Sequence, residues 1–148
     1  MRAGAPRAAL AALLAALVLP SGGAAAAELT VDVEGVQPGA GEVYVALCTG
    51  GLSEGSCRIG QNAPARAPAL RFAFTQVPPG TYAVAVFQDL DGDGRLARTP
   101  LGLPREPYGF SNGAGRGGRP DFAAAAFPLA EPGAAIRVRL QRALPAAR

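Results

Sequence analysis

The sequence predicts an all-β chain folded as an antiparallel β-sandwich of six to seven strands. Three observations point there: apolar residues alternate with period two in five separate runs, Pro/Gly clusters separate the runs, and no segment combines helical periodicity with capping signals. Short strands punctuated in this way, in a chain of this length, bury their apolar faces most simply by stacking two sheets.

Taken in order, the chain begins with a secretory pattern. Arg2 and Arg7 make a basic start, an Ala/Leu run extends from Ala8 to Leu19, and Pro20 leads to small residues ending Ala25-Ala-Ala27. A bilayer span needs roughly 20 apolar residues, more than this run supplies, so residues 1–27 are expected to be a removed signal peptide. The mature protein is then a single domain over residues 28–148, exported to the periplasm or secreted, with no transmembrane segment. Removal of the leader also discards many of the residues behind the 49% hydrophobic content and takes two of the 14 arginines. Twelve arginines then face eleven acidic residues, a net charge near +1, so the pI of 9.4 overstates how basic the working protein is. The sequence has no lysine and no arginine cluster interleaved with aromatics, which leaves a nucleic-acid role without support.

The first strand has Leu29, Val31 and Val33 on one face and Thr30, Asp32 and Glu34 on the other. Gly35-Val-Gln-Pro-Gly39 is a turn, because proline fixes φ and glycine accepts positive φ. The second strand sets Val43, Val45 and Leu47 against Tyr44 and Ala46. Cys48 and Cys57, the only cysteines, then flank a glycine-rich loop. In an oxidising compartment they form one disulfide, which would restrain the loop by about 2.5 to 3 kcal/mol.

The third alternating run places Leu70, Phe72 and Phe74 opposite Arg71, Ala73 and Thr75, and Val77-Pro-Pro-Gly80 turns the chain into the next. Thr81 to Gln88 is apolar on both faces, with Tyr82, Val84 and Val86 backed by Ala83, Ala85 and Phe87, and is expected to be an interior strand covered on both sides. After residues 89–121, which lack a strand pattern, Phe122 to Phe127 is a sixth, alanine-rich strand. Glu131-Pro-Gly133 turns into the final strand, where Ile136, Val138 and Leu140 oppose Arg137, Arg139 and Gln141. If the first and last strands pair, Asp32 and Glu34 meet Arg137 and Arg139, at about 0.2 to 1 kcal/mol for each pair.

Loops as long as residues 89–121 are either functional or disordered, which makes this excursion the place to seek a site. It opens with Asp89, Asp91, Asp93 and Gly94, the carboxylate spacing and glycine with which an EF-hand calcium loop begins. The twelfth position of such a loop falls on Pro100, which supplies no carboxylate. Calcium would therefore need the carbonyl of Arg95, or oxygens from Glu106, Asn112 or Asp121. The competing reading is a turn whose aspartates cap their own backbone while Arg95 and Arg98 neutralise them. Further along, Tyr108, Phe110 and Asn112 offer stacking area and an amide for a sugar or peptide, or else pin the excursion to the sandwich.

Enzymatic chemistry has a thin inventory. With no histidine or lysine there is no imidazole base and no Schiff base, and Ser53, Ser56 and Ser111 lack a recognisable activating partner. Glu106 and Asp121 are the remaining acid/base candidates. No catalytic residue is assigned.

The run Phe72-Ala-Phe-Thr-Gln-Val-Pro-Pro-Gly-Thr-Tyr-Ala-Val-Ala-Val-Phe-Gln-Asp89, followed by Asp91-Gly-Asp-Gly-Arg-Leu96, Leu101-Gly-Leu-Pro104, Tyr108-Gly-Phe-Ser-Asn112 and Pro120-Asp-Phe122, resembles the bacterial family called domain of unknown function 2141. The resemblance implies an exported β-sandwich, immunoglobulin-like or transthyretin-like and similar to carboxypeptidase-regulatory domains, and brings no assigned activity. Members of that family often carry Asn where this chain has Asp91 and Asp93, and a later acidic residue where it has Ala97. The resulting expectation is a non-catalytic binding or structural module of the cell envelope with an unknown protein or glycan partner. The alternative is a calcium-responsive module built on the Asp89 to Gly94 turn, and a small envelope hydrolase ranks third.

Overall fold

The computed structural model describes residues 4, 23 and 25–144; most of the expected leader, residues 1–3, 5–22 and 24, lies outside them. The described chain folds as β1 (Ala27–Glu34), β2 (Glu42–Cys48), β3 (Cys57–Pro64), β4 (Ala69–Val77), β5 (Gly80–Asp89), β6 (Tyr108–Phe110), a one-turn helix α1 (Phe122–Ala125), β7 (Phe127–Leu129) and β8 (Gly133–Arg139). Two sheets result. One runs β4-β1-β8; the other runs β3-β2-β5-β6, with β7 paired to the start of β5.

The alternating runs explain the layers. Leu29, Val31, Val33, Phe72, Phe74 and Val138 of the first sheet face Val43, Val45, Leu47, Val84 and Val86 of the second in one continuous buried core. Each such side chain contributes about 1.5 to 3 kcal/mol by leaving water. Gln88 also points inward, and its amide is fully used: it accepts from Gln37 N at 2.9 Å and donates to Gln37 O at 2.7 Å and Ala40 O at 2.6 Å, fastening the β1–β2 turn.

Every one of the five clear alternating runs is a strand. The first and last do pair, and they run parallel, whereas β4, on the other side of β1, is antiparallel to it. The geometry follows from the chain path, since β7 ends beside the start of β5 and the Glu131-Pro-Gly turn delivers β8 next to the beginning of β1. Glu34 meets Arg137 across this ladder at 3.1 Å. Asp32 instead takes the guanidinium of Arg71, directly opposite it on β4, through bonds of 2.7 and 3.1 Å.

Three elements differ from expectation. The run from Phe122 to Phe127 is not one strand: its alanines form α1, Asp121 accepts the Ala124 N–H at 2.7 Å as N-cap, and extended backbone resumes at Ala126, two residues before Pro128. Alanine is the best helix former and aspartate a strong cap, so local preference prevails over the apparent alternation. Strand β3 had no sequence signal because it is an edge strand, exposed at nearly every position, which removes the alternation. Strand β6 is three residues long and lies inside the excursion, too short to show a period.

The excursion is therefore anchored to the sandwich. Strand β6 lies against β5, and Tyr108 exchanges two backbone hydrogen bonds with Gln141, at 2.9 and 2.8 Å, linking the second sheet to the chain beyond β8. Gly109 permits this approach, since a Cβ there would stand 2.7 Å from the Arg139 carbonyl oxygen.

Candidate functional site

Strand β5 has its even residues in the core and its odd residues on the outer face. Ala83 is buried there with Cys48, Ala114 and Ala125 in a second, smaller core. Both faces of this strand are thus covered at that end, as its composition predicts. At the other end Asp89 leads into the acidic turn, and between the two lies an open cleft.

The acidic turn is held by its own carboxylates. Asp89, buried, accepts from Gly92 N at 2.9 Å and Gly94 N at 2.7 Å; Asp91 accepts from Asp93 N at 3.2 Å, and Asp93 from Arg95 N at 2.8 Å. Glu106, also buried, arrives from the far end of the next hairpin and accepts from Leu90 N at 2.9 Å and Ala97 N at 3.0 Å. Asp89, Asp91 and Glu106 each offer one carboxylate oxygen, and these three atoms lie within 4.8 Å of one another.

Their titration reflects the crowding. Burial pushes Asp89 upward, but the N–H groups of Gly94, Gly92 and Asp93 and the shared contact with Asp91 outweigh it and lower its pKa. For Asp91 the Asp93 N–H pulls downward, while the contact with Asp89, desolvation, Asp93 and the charge of Glu106 together raise it. Arg95 and Arg98 do not neutralise the cluster: the ion pairs among the described residues are Asp32–Arg71 and Glu34–Arg137, and Arg98 donates to the Gly102 carbonyl at 3.0 Å.

The cleft has a volume of about 490 Å³. Register builds it. Tyr44, Phe87 and Tyr108 stand in one row across β2, β5 and β6, and Ala46, Ala85 and Phe110 stand in the next. Tyr44 and Phe87 stack with ring centroids 5.0 Å apart and planes 7° from parallel, while Tyr108 and Phe110 meet edge-on at 6.1 Å. The alanine row leaves a trough between aromatic walls. Ser53, Glu54, Arg95 and Arg98 also line the cleft and supply polar groups. Desolvation raises the pKa of Tyr44, and Glu42, Asp89 and Asp93 add to the effect, so the field of the acidic turn reaches the cleft.

The remaining polar groups hold the walls. The Cys48–Cys57 disulfide is present and closes the loop that carries Ser53 and Glu54. The Ser53 and Ser56 hydroxyls bond to each other at 3.0 Å. Ser111, fully buried, accepts from Val84 N and donates to Ala125 O, joining β5 to α1. Asn112 takes a left-handed conformation, φ 58°, which asparagine tolerates better than most residues, and its amide donates to Ala124 O and Ala126 O at 3.3 and 2.9 Å.

Of the residues singled out from sequence, Asp89, Asp91 and Glu106 come together, with Asp93 and Arg95 on the same turn. Asn112 and Asp121 are engaged at α1, outside that group. Tyr108 and Phe110 line the cleft, joined by Tyr44, Ala46, Ala85 and Phe87, which the sequence presented only as the second faces of two strands.

Residues 31–137 match the model of a bacterial family described as "Uncharacterized protein conserved in bacteria (DUF2141)", and the chain belongs to that family. The match runs from β1 into β8 and takes in both the acidic turn and the cleft. Neither the curated proteins nor the solved structures yield a match to the chain.

Proposed function

Starting from membership of this bacterial family, we propose that the protein is an exported, non-catalytic binding module of the cell envelope, and that its cleft holds a saccharide. The observation that carries the reading is the trough between the Tyr44–Phe87 stack and the Tyr108–Phe110 pair, rimmed by Glu54, Arg95 and Arg98. Flat aromatic plates bury the apolar face of a sugar ring, and a carboxylate and guanidinium groups at the edge hydrogen-bond its hydroxyls. The volume lies in the range of small-molecule sites, roughly 300 to 1,000 Å³. Export is supported by the N-terminal pattern of residues 1–27 and by the disulfide, which belongs in an oxidising compartment. No helix among the described residues is long and apolar enough to cross a membrane. The non-catalytic reading rests on a sequence without histidine or lysine and on serine hydroxyls bonded to one another or to backbone.

The experiment is a titration with defined neutral, N-acetylated and acidic oligosaccharides, followed by tyrosine fluorescence. The chain has three tyrosines and no tryptophan, and two of the three line the cleft, so the signal reports on the site directly. Saturable binding by one sugar class, weakened at least tenfold by Tyr44→Ala or Phe110→Ala, supports the reading. Binding that survives both substitutions, or no response from any sugar, overturns it.

A second reading is favoured by the acidic turn: calcium orders the excursion and so controls the cleft. Three carboxylate oxygens gathered within 4.8 Å, without an ion-paired arginine among the described residues, are a hard-oxygen donor set of the kind calcium takes. Thermal unfolding in calcium and in chelator tests it. A higher midpoint in calcium, abolished by Asp91→Asn, supports the reading; identical curves remove it.

A further inference from the structure

Residues 97–105 form a small hairpin closed by the Arg98–Pro104 bridge. Its backbone is satisfied from within: Thr99 N donates to Leu103 O, Gly102 N to Thr99 O and Arg105 N to Ala97 O, each at 2.8 Å, and Leu103 N reaches the Thr99 hydroxyl at 3.1 Å. Gly102, with φ 83°, allows the tight tip. The root is tied down by Glu106 through the Ala97 N–H at 3.0 Å. This rigid device holds Leu101 in water at 89% exposure, against 44% for Leu103. Folding gains nothing from a leucine so placed.

The charge around the tip is of one sign. Leu101 and Leu103 border a cleft of about 1,010 Å³ that is also lined by Arg98, Arg116, Arg119 and Arg142, with no carboxylate in its lining among the described residues. The whole sequence has 11 acidic residues to 14 arginines, so this segregation is local and not a consequence of overall charge.

We propose that this hairpin and its four arginines dock the protein on the surface of an anionic phospholipid bilayer. Apolar side chains at a rigid tip enter the boundary between headgroups and acyl chains, while guanidinium forks pair with lipid phosphates. Each arginine near such a surface strengthens binding about fivefold. The projecting shape favours a bilayer over an acidic protein, because Leu101 stands out from the surface and needs a partner that yields around it. This surface adjoins the aromatic cleft and shares Arg98, Tyr108 and Phe110 with it, whereas Leu101, Arg116, Arg119 and Arg142 line this surface alone, so substitutions at those four test the docking without touching the saccharide reading.

The test is cosedimentation of the protein with vesicles rich in phosphatidylglycerol and with vesicles of phosphatidylcholine alone, at low and high salt. Binding is expected to the anionic vesicles only and to weaken as salt rises. Arg116→Gln combined with Arg119→Gln is expected to weaken it about 25-fold, and Leu101→Ser about tenfold or more. All three side chains are exposed, so the unfolding midpoints stay at the unsubstituted value, and Tyr44→Ala leaves vesicle binding unchanged. Equal binding to both vesicle types overturns the proposal, as does none to either. Capture by polyglutamate without capture by anionic vesicles also overturns it and assigns the surface to an acidic protein.

Discussion

The two sheets present their outer faces to solvent in opposite ways. On β4-β1-β8 the charged outward side chains neutralise one another, Asp32 with Arg71 directly opposite it and Glu34 with Arg137 on the diagonal. On the second sheet the outward positions are Tyr44, Phe87, Tyr108 and Phe110 around two alanines, and the excursion adds walls to make a cleft. Both faces arise from the same period-two backbone. What separates them is the chain that follows: β1 ends in a turn pinned by Gln88, whereas β5 ends in a long segment that folds back over its own sheet.

Four perturbations sharpen or break this contrast. The largest effect is expected from Glu106→Ala, which leaves Leu90 N and Ala97 N without an acceptor and frees the root of the hairpin. A loss of about 3 kcal/mol in urea unfolding follows from the cost of buried unpaired donors; a loss near zero would mean that the excursion is not integral to the fold. Next comes Cys48→Ala with Cys57→Ala, expected to cost about 2.5 to 3 kcal/mol and to loosen the rim that carries Glu54.

Tyr44→Ala removes the stack with Phe87 and is expected to cost about 1 kcal/mol of stability by chemical denaturation while weakening sugar binding at least tenfold. A site on this face requires that binding change more than folding. The smallest effect belongs to the charged face. Asp32→Asn is expected to cost under about 1 kcal/mol, because the pair is largely solvated. Its pH dependence has a definite sign: the hydrogen bond from Arg71 lowers the Asp32 pKa below the ordinary 3.8, against the opposing effect of burial. The contribution is present above that value and fades as pH falls through the folded-state pKa. Unfolding curves of the wild type and the variant should therefore converge in acid. The acidic turn behaves otherwise, since Asp89 is lowered and Asp91 raised and their pH effects oppose each other. Calcium and chelator separate the readings of that turn better than pH does.

Much of the sandwich was legible because burial writes itself into alternation. Leu29, Val43, Phe72, Val84 and Val138 announce their faces, and the run from Tyr82 to Phe87 lacks polar residues because its outer face is covered at Ala83 and lines the cleft at Ala85 and Phe87. Strand β3 was invisible because an exposed edge has no face to encode. The partner of Asp32 depended on which strands pair and in what direction, and sequence pointed to Arg137 when the antiparallel neighbour was Arg71. The site divides in the same way. The acidic turn is local, and its carboxylate spacing could be read directly, with Glu106 already among the candidate oxygens. The cleft is not local: Tyr44, Phe87 and Tyr108 become neighbours only through the register of three strands. The signal available in advance was the pairing of small and aromatic residues on the second faces of β2 and β5.

The most direct test of the central claim, that the aromatic face is the recognition surface, is amide chemical-shift mapping of the ¹⁵N-labelled protein over residues 28–148 with the sugar class that quenches its tyrosines. The account predicts shifts at Tyr44, Ala46, Ala85, Phe87, Tyr108 and Phe110, with Thr30, Asp32, Arg71 and Arg137 unmoved. Shifts centred on the β4-β1-β8 face, with the cleft silent, would contradict it.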